Sequence, residues 1–184
     1  MDGIILNIQK AYNQFFNTGF YKFNDPLAFQ YLQDIESYEW KNLKGQGLQL
    51  VKRTPEIEEI IIKTQQLLAN IYVRHLDENY TLGNDCEIVN GMDDATLSWH
   101  NDNVEGYNLC ILLYLDTMDS DIGGMTRFRD IQTKDLTGEF YPQKFDVSFM
   151  NHCSRFQHIV TPMKLAMDRR VALFNFNIKQ ILTG

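Results

Sequence analysis

The chain has 184 residues, 44% of them hydrophobic, with seventeen Lys and Arg against twenty-four Asp and Glu for a net charge of −7. That length and apolar fraction suit one domain with its own core, while the acidic balance speaks against tight non-specific binding to a phosphate backbone, which draws on clustered cations. Aliphatic runs stay well short of the ~20 residues needed to cross a bilayer, and three cysteines without CxxC or CxxH spacing exclude a disulfide framework and a zinc knuckle.

The opening stretch MDGIILNIQKAYNQFF has no basic segment leading into a long apolar one, so a cytoplasmic location is expected. NDPLAFQYLQDIESY predicts a helix, with Asp25 as cap, Pro26 at the first helical position, and Ala28, Tyr31, Leu32 and Ile35 at helical spacing. TPEIEEIIIKTQQLLANIYV repeats that grammar with Thr54, Pro55 and a stripe of Ile57, Ile60, Ile61, Leu68 and Ile71. From Gly47 onward the pattern changes to strands: GLQLV, CEIVNG, ATLSWHND, YNLCILLYLD, KFDVSFMN and RRVALFNFNI. Leu109 to Leu115 is continuously apolar, as in a strand buried on both faces. The expected fold is α+β but mainly β, a sandwich or jelly roll with N-terminal helices packed on one sheet. One domain spans 1–184, with about 1–75 as helical support and about 85–180 as the β core.

Within SWHNDN, a strand turns His100 and Asp102 to the same side and Asn101 to the other. Two ligands then converge from one short segment. Two His and one carboxylate leave three positions open on a metal, the ligand set of non-haem Fe(II) oxygenases. A third ligand has to come from His75, His152 or His158; His75 falls at the end of a predicted helix and is expected to be exposed.

The segments WHNDNVEGYNLCILLYLD, IGGMTRF, FQHIVTPM and RRVALFNFN occur in this order across residues 88 to 178. Together they resemble the 2-oxoglutarate and Fe(II)-dependent dioxygenases, especially the prolyl-hydroxylase-like branch. The resemblance implies a double-stranded β-helix and an iron held by His100, Asp102 and His158, the last because HIVTP follows it. His152 lacks that sequel and reads as a loop residue beside the site. It further implies Fe(II) as cofactor, 2-oxoglutarate and O2 as co-substrates, and ascorbate as an auxiliary reductant.

The far carboxylate of 2-oxoglutarate needs a cation deep in an apolar barrel, and Arg suits this because its planar fork stays charged when desolvated. Alternation puts Arg170 with Ala172, Phe174, Phe176 and Ile178, and Arg169 with Val171, Leu173, Asn175 and Asn177. The first face is the more apolar, so Arg170 is expected in the pocket, with Phe174, Phe176 and Leu113 as its water-excluding lining. A gap from His158 slightly longer than the family pattern keeps Arg169 as the alternative. Tyr114 matches the tyrosine that helps hold the same carboxylate. Asn90, Thr126 and Arg127 are candidates to border the site, each with an ordinary structural reading beside it. The acids of DTMDSDIGG lack the bidentate Glu of a calcium loop. By the same resemblance the reaction is hydroxylation of an unactivated C–H bond, on a prolyl or other peptide residue, coupled to decarboxylation of 2-oxoglutarate to succinate and CO2. Alternatives are a nucleobase- or small-molecule-oxidising enzyme of the same kind, and a non-catalytic jelly-roll binding module.

Overall fold

The computed structural model describes residues 14–43, 47–91, 98–101, 107–151, 155–165 and 167–179. Asp102, His152 and Cys153 lie outside the described residues, as does half of the expected strand ATLSWHND. The described residues form strands β1 (Phe20–Asn24), β2 (Trp40–Leu43), β3 (Leu48–Val51), β4 (Thr81–Leu82), β5 (Glu87–Gly91), β6 (Leu109–Tyr114), β7 (Thr126–Asp130), β8 (Leu136–Phe140), β9 (Asp146–Asn151), β10 (Phe156–Val160) and β11 (Arg169–Asn177). A large antiparallel sheet runs β1-β9-β6-β11-β5-β3-β2, with β4 on the end of β11, and a small one runs β10-β7-β8. This is the expected mainly-β jelly roll.

Side-chain alternation divides the large sheet into two faces. Leu109, Ile111 and Leu113 of β6 and Ala172, Phe174 and Phe176 of β11 look outward, into a core shared with the helical layer. Cys110, Leu112 and Tyr114 of β6 and Val171 of β11 look inward, where they meet Met150 of β9, Phe20 of β1 and Phe128 of the small sheet. Every residue of β6 is therefore buried, as its unbroken apolar run requires.

Helix α1 (Pro55–Leu68) closes the outer core with Ile57, Ile61 and Leu68, while Ile60 and Ile71 are half-buried. Thr54 caps it as expected, accepting from the Ile57 N–H at 3.3 Å. The helix continues through a π segment (Ala69–Val73) and a final turn (Arg74–Leu76). The exposed His75 sits in that turn.

The first third is less helical than its periodicity implies. Residues 14–18 are helical, but Phe20–Asn24 is a strand pairing with β9. Each of its faces carries an aromatic residue: Phe20 stacks on Phe128 at 4.3 Å between the sheets, and Phe23 meets Tyr72 and Phe149 behind. The helix expected from Asp25 is two 3-10 turns, Pro26–Phe29 and Ile35–Ser37. Its cap was read correctly, since Asp25 accepts from the Leu27 N–H at 3.0 Å. The backbone then leaves the helical region at Asp34, with φ of 59°. So short a segment makes too few hydrogen bonds to hold a helix alone, and Ala28, Phe29, Leu32 and Ile35 are buried from successive turns instead, with Tyr31 exposed.

Candidate active site

The inward face of β11 lines a pocket of about 500 Å³ between the sheets, with Arg169, Val171, Leu173 and Asn175 in one row. Leu112 and Tyr114 of β6, Met150 of β9 and Val160 of β10 make its apolar wall. At one end lies Arg169, only 8% exposed. Its Nε donates to the Gly124 carbonyl at 3.1 Å and its Nη2 to Thr126 Oγ1 at 3.0 Å. Among the described residues Nη1 has no hydrogen-bond acceptor and the guanidinium no carboxylate partner. Burial pulls its pKa below the usual value, yet a guanidinium starts so high that it stays charged.

Tyr114 stands beside this cation, its ring 5.8 Å from the guanidinium carbon. Its hydroxyl is fully buried and lies near the Thr126 side chain, which lowers its pKa, but it makes no well-formed hydrogen bond among the described residues. Burial pushes the phenol up to about 12, with Arg169 pulling the other way. It is therefore a neutral donor at physiological pH, beside Arg169 in the pocket lining. The turn that delivers the Gly124 carbonyl depends on glycine: Gly123 and Gly124 have φ of +91° and +70°. A Cβ on Gly124 would also stand 2.6 Å from Met163 Sδ and 3.1 Å from Arg169 Cδ.

Two residues back along β10 from Val160, about 7 Å at ~3.3 Å per residue, His158 enters the same pocket. His100 faces it across a two-bond backbone pairing, with N–H to O distances of 3.1 and 2.8 Å. The rings come together with centroids 4.2 Å apart, tilted by 57°. His100 Nδ1 lies 2.7 Å from the Ser98 carbonyl; a carbonyl only accepts, so Nδ1 is the donor there and Nε2 is the ring nitrogen that would bind a metal. Among the described residues no group of three His, Cys, Asp or Glu gathers for a metal. The two expected histidines meet, and the expected third ligand, Asp102, falls outside the described residues.

No protein-family model matches the sequence, and no curated protein does. Solved structures do. One is a prolyl hydroxylase from Trichoplax adhaerens in complex with a hypoxia-inducible factor degradation-domain peptide, at a TM-score of 0.70 and 16% identity over 100% of this chain and 95% of that one. A second is HygX from Streptomyces hygroscopicus with nickel, 2-oxoglutarate and hygromycin B bound, at 0.68 and 13% over 93% and 87%. A third is a Pseudomonas putida prolyl-4-hydroxylase, at 0.63 and 14% over 94% and 99%. This chain has the fold of the 2-oxoglutarate/Fe(II) oxygenases.

Within that oxygenase fold, the structure corrects the expected arginine. Arg170 does not line the pocket. It points the other way and is held by Asp116, with Nε to Oδ2 at 2.9 Å, Nη2 to Oδ1 at 2.6 Å and its own backbone N–H to Oδ2 at 2.7 Å. The more apolar face of β11 is the one sealed dry against the helical layer, whereas the pocket face carries Arg169 and Asn175. For the same reason Phe174, Phe176 and Leu113 belong to the outer core, and the pocket lining is Leu112, Met150, Val160 and Val171.

The structure also sorts the lesser candidates. Asn90 is a buried brace, donating to Gln49 and Asp168 and accepting from the Arg169 N–H. Thr126 holds Arg169, and Arg127 is a half-exposed partner of Glu139 at 2.9 Å. Asp119 in DTMDSDIGG accepts from the N–H groups of Asp121 and Ile122, an ordinary turn. Sequence reading missed Asp85, Glu87 and Asn175, which line the pocket's other end. The available signal was the alternation of β11, had its less apolar face been taken as the lining.

Proposed function

We propose that this chain is a 2-oxoglutarate-dependent Fe(II) dioxygenase, hydroxylating an unactivated C–H bond of a peptide or small-molecule substrate while 2-oxoglutarate and O2 become succinate and CO2. Arg169 carries the assignment. A buried guanidinium without a carboxylate among the described residues, next to a buried hydroxyl without a well-formed hydrogen bond among them, is costly unless a ligand supplies the missing acceptor. A dicarboxylate does so. Arg169 Nη1 and Tyr114 Oη donate to its far carboxylate, Thr126 keeps the guanidinium in plane, and the other end reaches toward His158 and His100. Those two imidazoles, with Asp102 assigned from its place in SWHNDN, would hold the iron. Bound there, Fe(II) supplies the O2 activation that C–H hydroxylation needs. Leu112, Met150, Val160 and Val171 keep water from the reacting atoms.

The test is an anaerobic titration of metal-free protein with Fe(II) and then 2-oxoglutarate, following the visible absorption of the chelate, with succinate assayed after O2 is admitted. A band followed by succinate release supports the assignment. A folded protein that gives neither overturns it, and one that binds 2-oxoglutarate without a band is the binding module instead.

A further inference from the structure

The pocket has a second polar end. Six residues along β11 from Arg169, about 20 Å at ~3.3 Å per residue, Asn175 lies on the same lining face and is 6% exposed. Its Nδ2 donates to the Asp85 carbonyl at 2.7 Å. Its backbone carbonyl accepts from Gln65 Nε2 at 3.2 Å and from the Gly83 N–H at 2.8 Å. A carbonyl only accepts, so nitrogen must be the amide atom turned toward Asp85 and oxygen the other. That Oδ1 is buried and has no hydrogen-bond partner among the described residues. A fixed, buried acceptor of this kind calls for a donor from a ligand.

The walls around it specify the charge of that donor. Asp85 and Glu87 line the same end of the pocket, Glu87 directly opposite Leu173 in the strand pairing. Among the described residues neither carboxylate is in an ion pair. Arg53, which bonds the Cys86 carbonyl between them, spends its other nitrogen on Glu58 at 3.0 Å. The polarity of the pocket thus reverses along its length, from a cation at Arg169 to acceptors and anions at Asn175, Asp85 and Glu87.

We propose that this end binds a primary ammonium group, making the substrate of the proposed oxygenase an amine: a lysyl side chain or a small amine. The ammonium donates to Asn175 Oδ1 and is neutralised by Asp85 and Glu87. Only the word substrate rests on the oxygenase reading; the amine preference stands on these three residues.

The probes are two matched pairs, Nα-acetyl-lysine amide against its norleucine counterpart and butylamine against butanol. Binding to the full chain is followed by NMR at the Asn175 side-chain amide. The charged member of at least one pair should bind roughly tenfold more tightly, the scale of a charge-assisted hydrogen bond. That preference should fall toward unity in the Asp85→Asn, Glu87→Gln double variant. Preference in the lysyl pair alone points to a peptide, and preference in the butyl pair to a small amine. Equal binding of the neutral members, a preference that survives the double variant, or no response of Asn175 to either cation overturns the proposal. Because the exposed Asp85 and Glu87 are remote from Arg169, 2-oxoglutarate affinity should be unchanged in the double variant. Wild-type protein that failed to bind 2-oxoglutarate would sink the cofactor assignment and leave the amine result to be read by itself.

Discussion

Arg169 and Arg170 are neighbours with opposite tasks. Under the proposed chemistry, Arg169→Ala should cost 2-oxoglutarate affinity roughly 2–5 kcal/mol, because the co-substrate carboxylate is left buried without its cation; calorimetric titration of both variants checks this. Arg170→Ala should leave that affinity intact and lower stability by roughly 2–3 kcal/mol, since it strands the largely buried Asp116. The reverse pattern would return the role to Arg170. Alternation correctly separated the two side chains; which face was the pocket did not follow from hydrophobicity, because the dry core behind β11 is more apolar than the cavity lined by Arg169 and Asn175. Tyr114 adds a pH signature. Folding favours its neutral form, so its contribution is complete below the ordinary phenol value of 10.0 and is lost as pH rises through about 12. Tyr114→Phe should flatten that part of the alkaline unfolding curve relative to wild type, measured by circular dichroism.

At the scale of elements, cap and stripe were legible where the helix was long. Thr54 and its buried face over Pro55–Leu68 define α1, and Thr54→Ala should cost about 1 kcal/mol in urea unfolding by loss of the bond to the Ile57 N–H. The same grammar over Asp25–Tyr38 found the cap and most of the buried residues, but not the backbone between them. Periodicity reports which side chains are covered; two short turns satisfy it as well as one helix. β1 escaped notice because aromatic residues occupy both its faces, so period-two contrast was absent. The Gly123–Gly124 turn lies in IGGMTRF, one of the segments that carry the family resemblance, and the sequence left it open between the edge of the site and a structural hairpin. Its further use appears only when the Gly124 carbonyl meets Arg169, and Gly124→Ala should disturb both the turn and the arginine, lowering 2-oxoglutarate affinity in the same titration.

Across the whole molecule, a pocket with a cation at one end and acceptors at the other sits between two sheets of unequal size, and its ligands should tie those sheets together. Fe(II) with 2-oxoglutarate at about a hundredfold above its dissociation constant should stabilise the fold by about 2.7 kcal/mol. For a chain of this length that is a rise of roughly 5–10 °C in Tm, and chelation by EDTA should remove it; an unchanged Tm would count against the assignment. The sequence alone determined the mainly-β class and the helix behind the large sheet, because alternation and caps are local properties of the chain, and the family resemblance named His100 and His158 as candidate ligands. Only the tertiary structure decided that Arg169 is the buried cation, that Tyr114 and Asn175 hold buried atoms without a well-formed hydrogen bond among the described residues, and that Asp85 and Glu87 share their pocket. Those facts depend on which face of β11 is opposed by a second sheet and which by a helix, a choice made by packing between segments far apart in the chain.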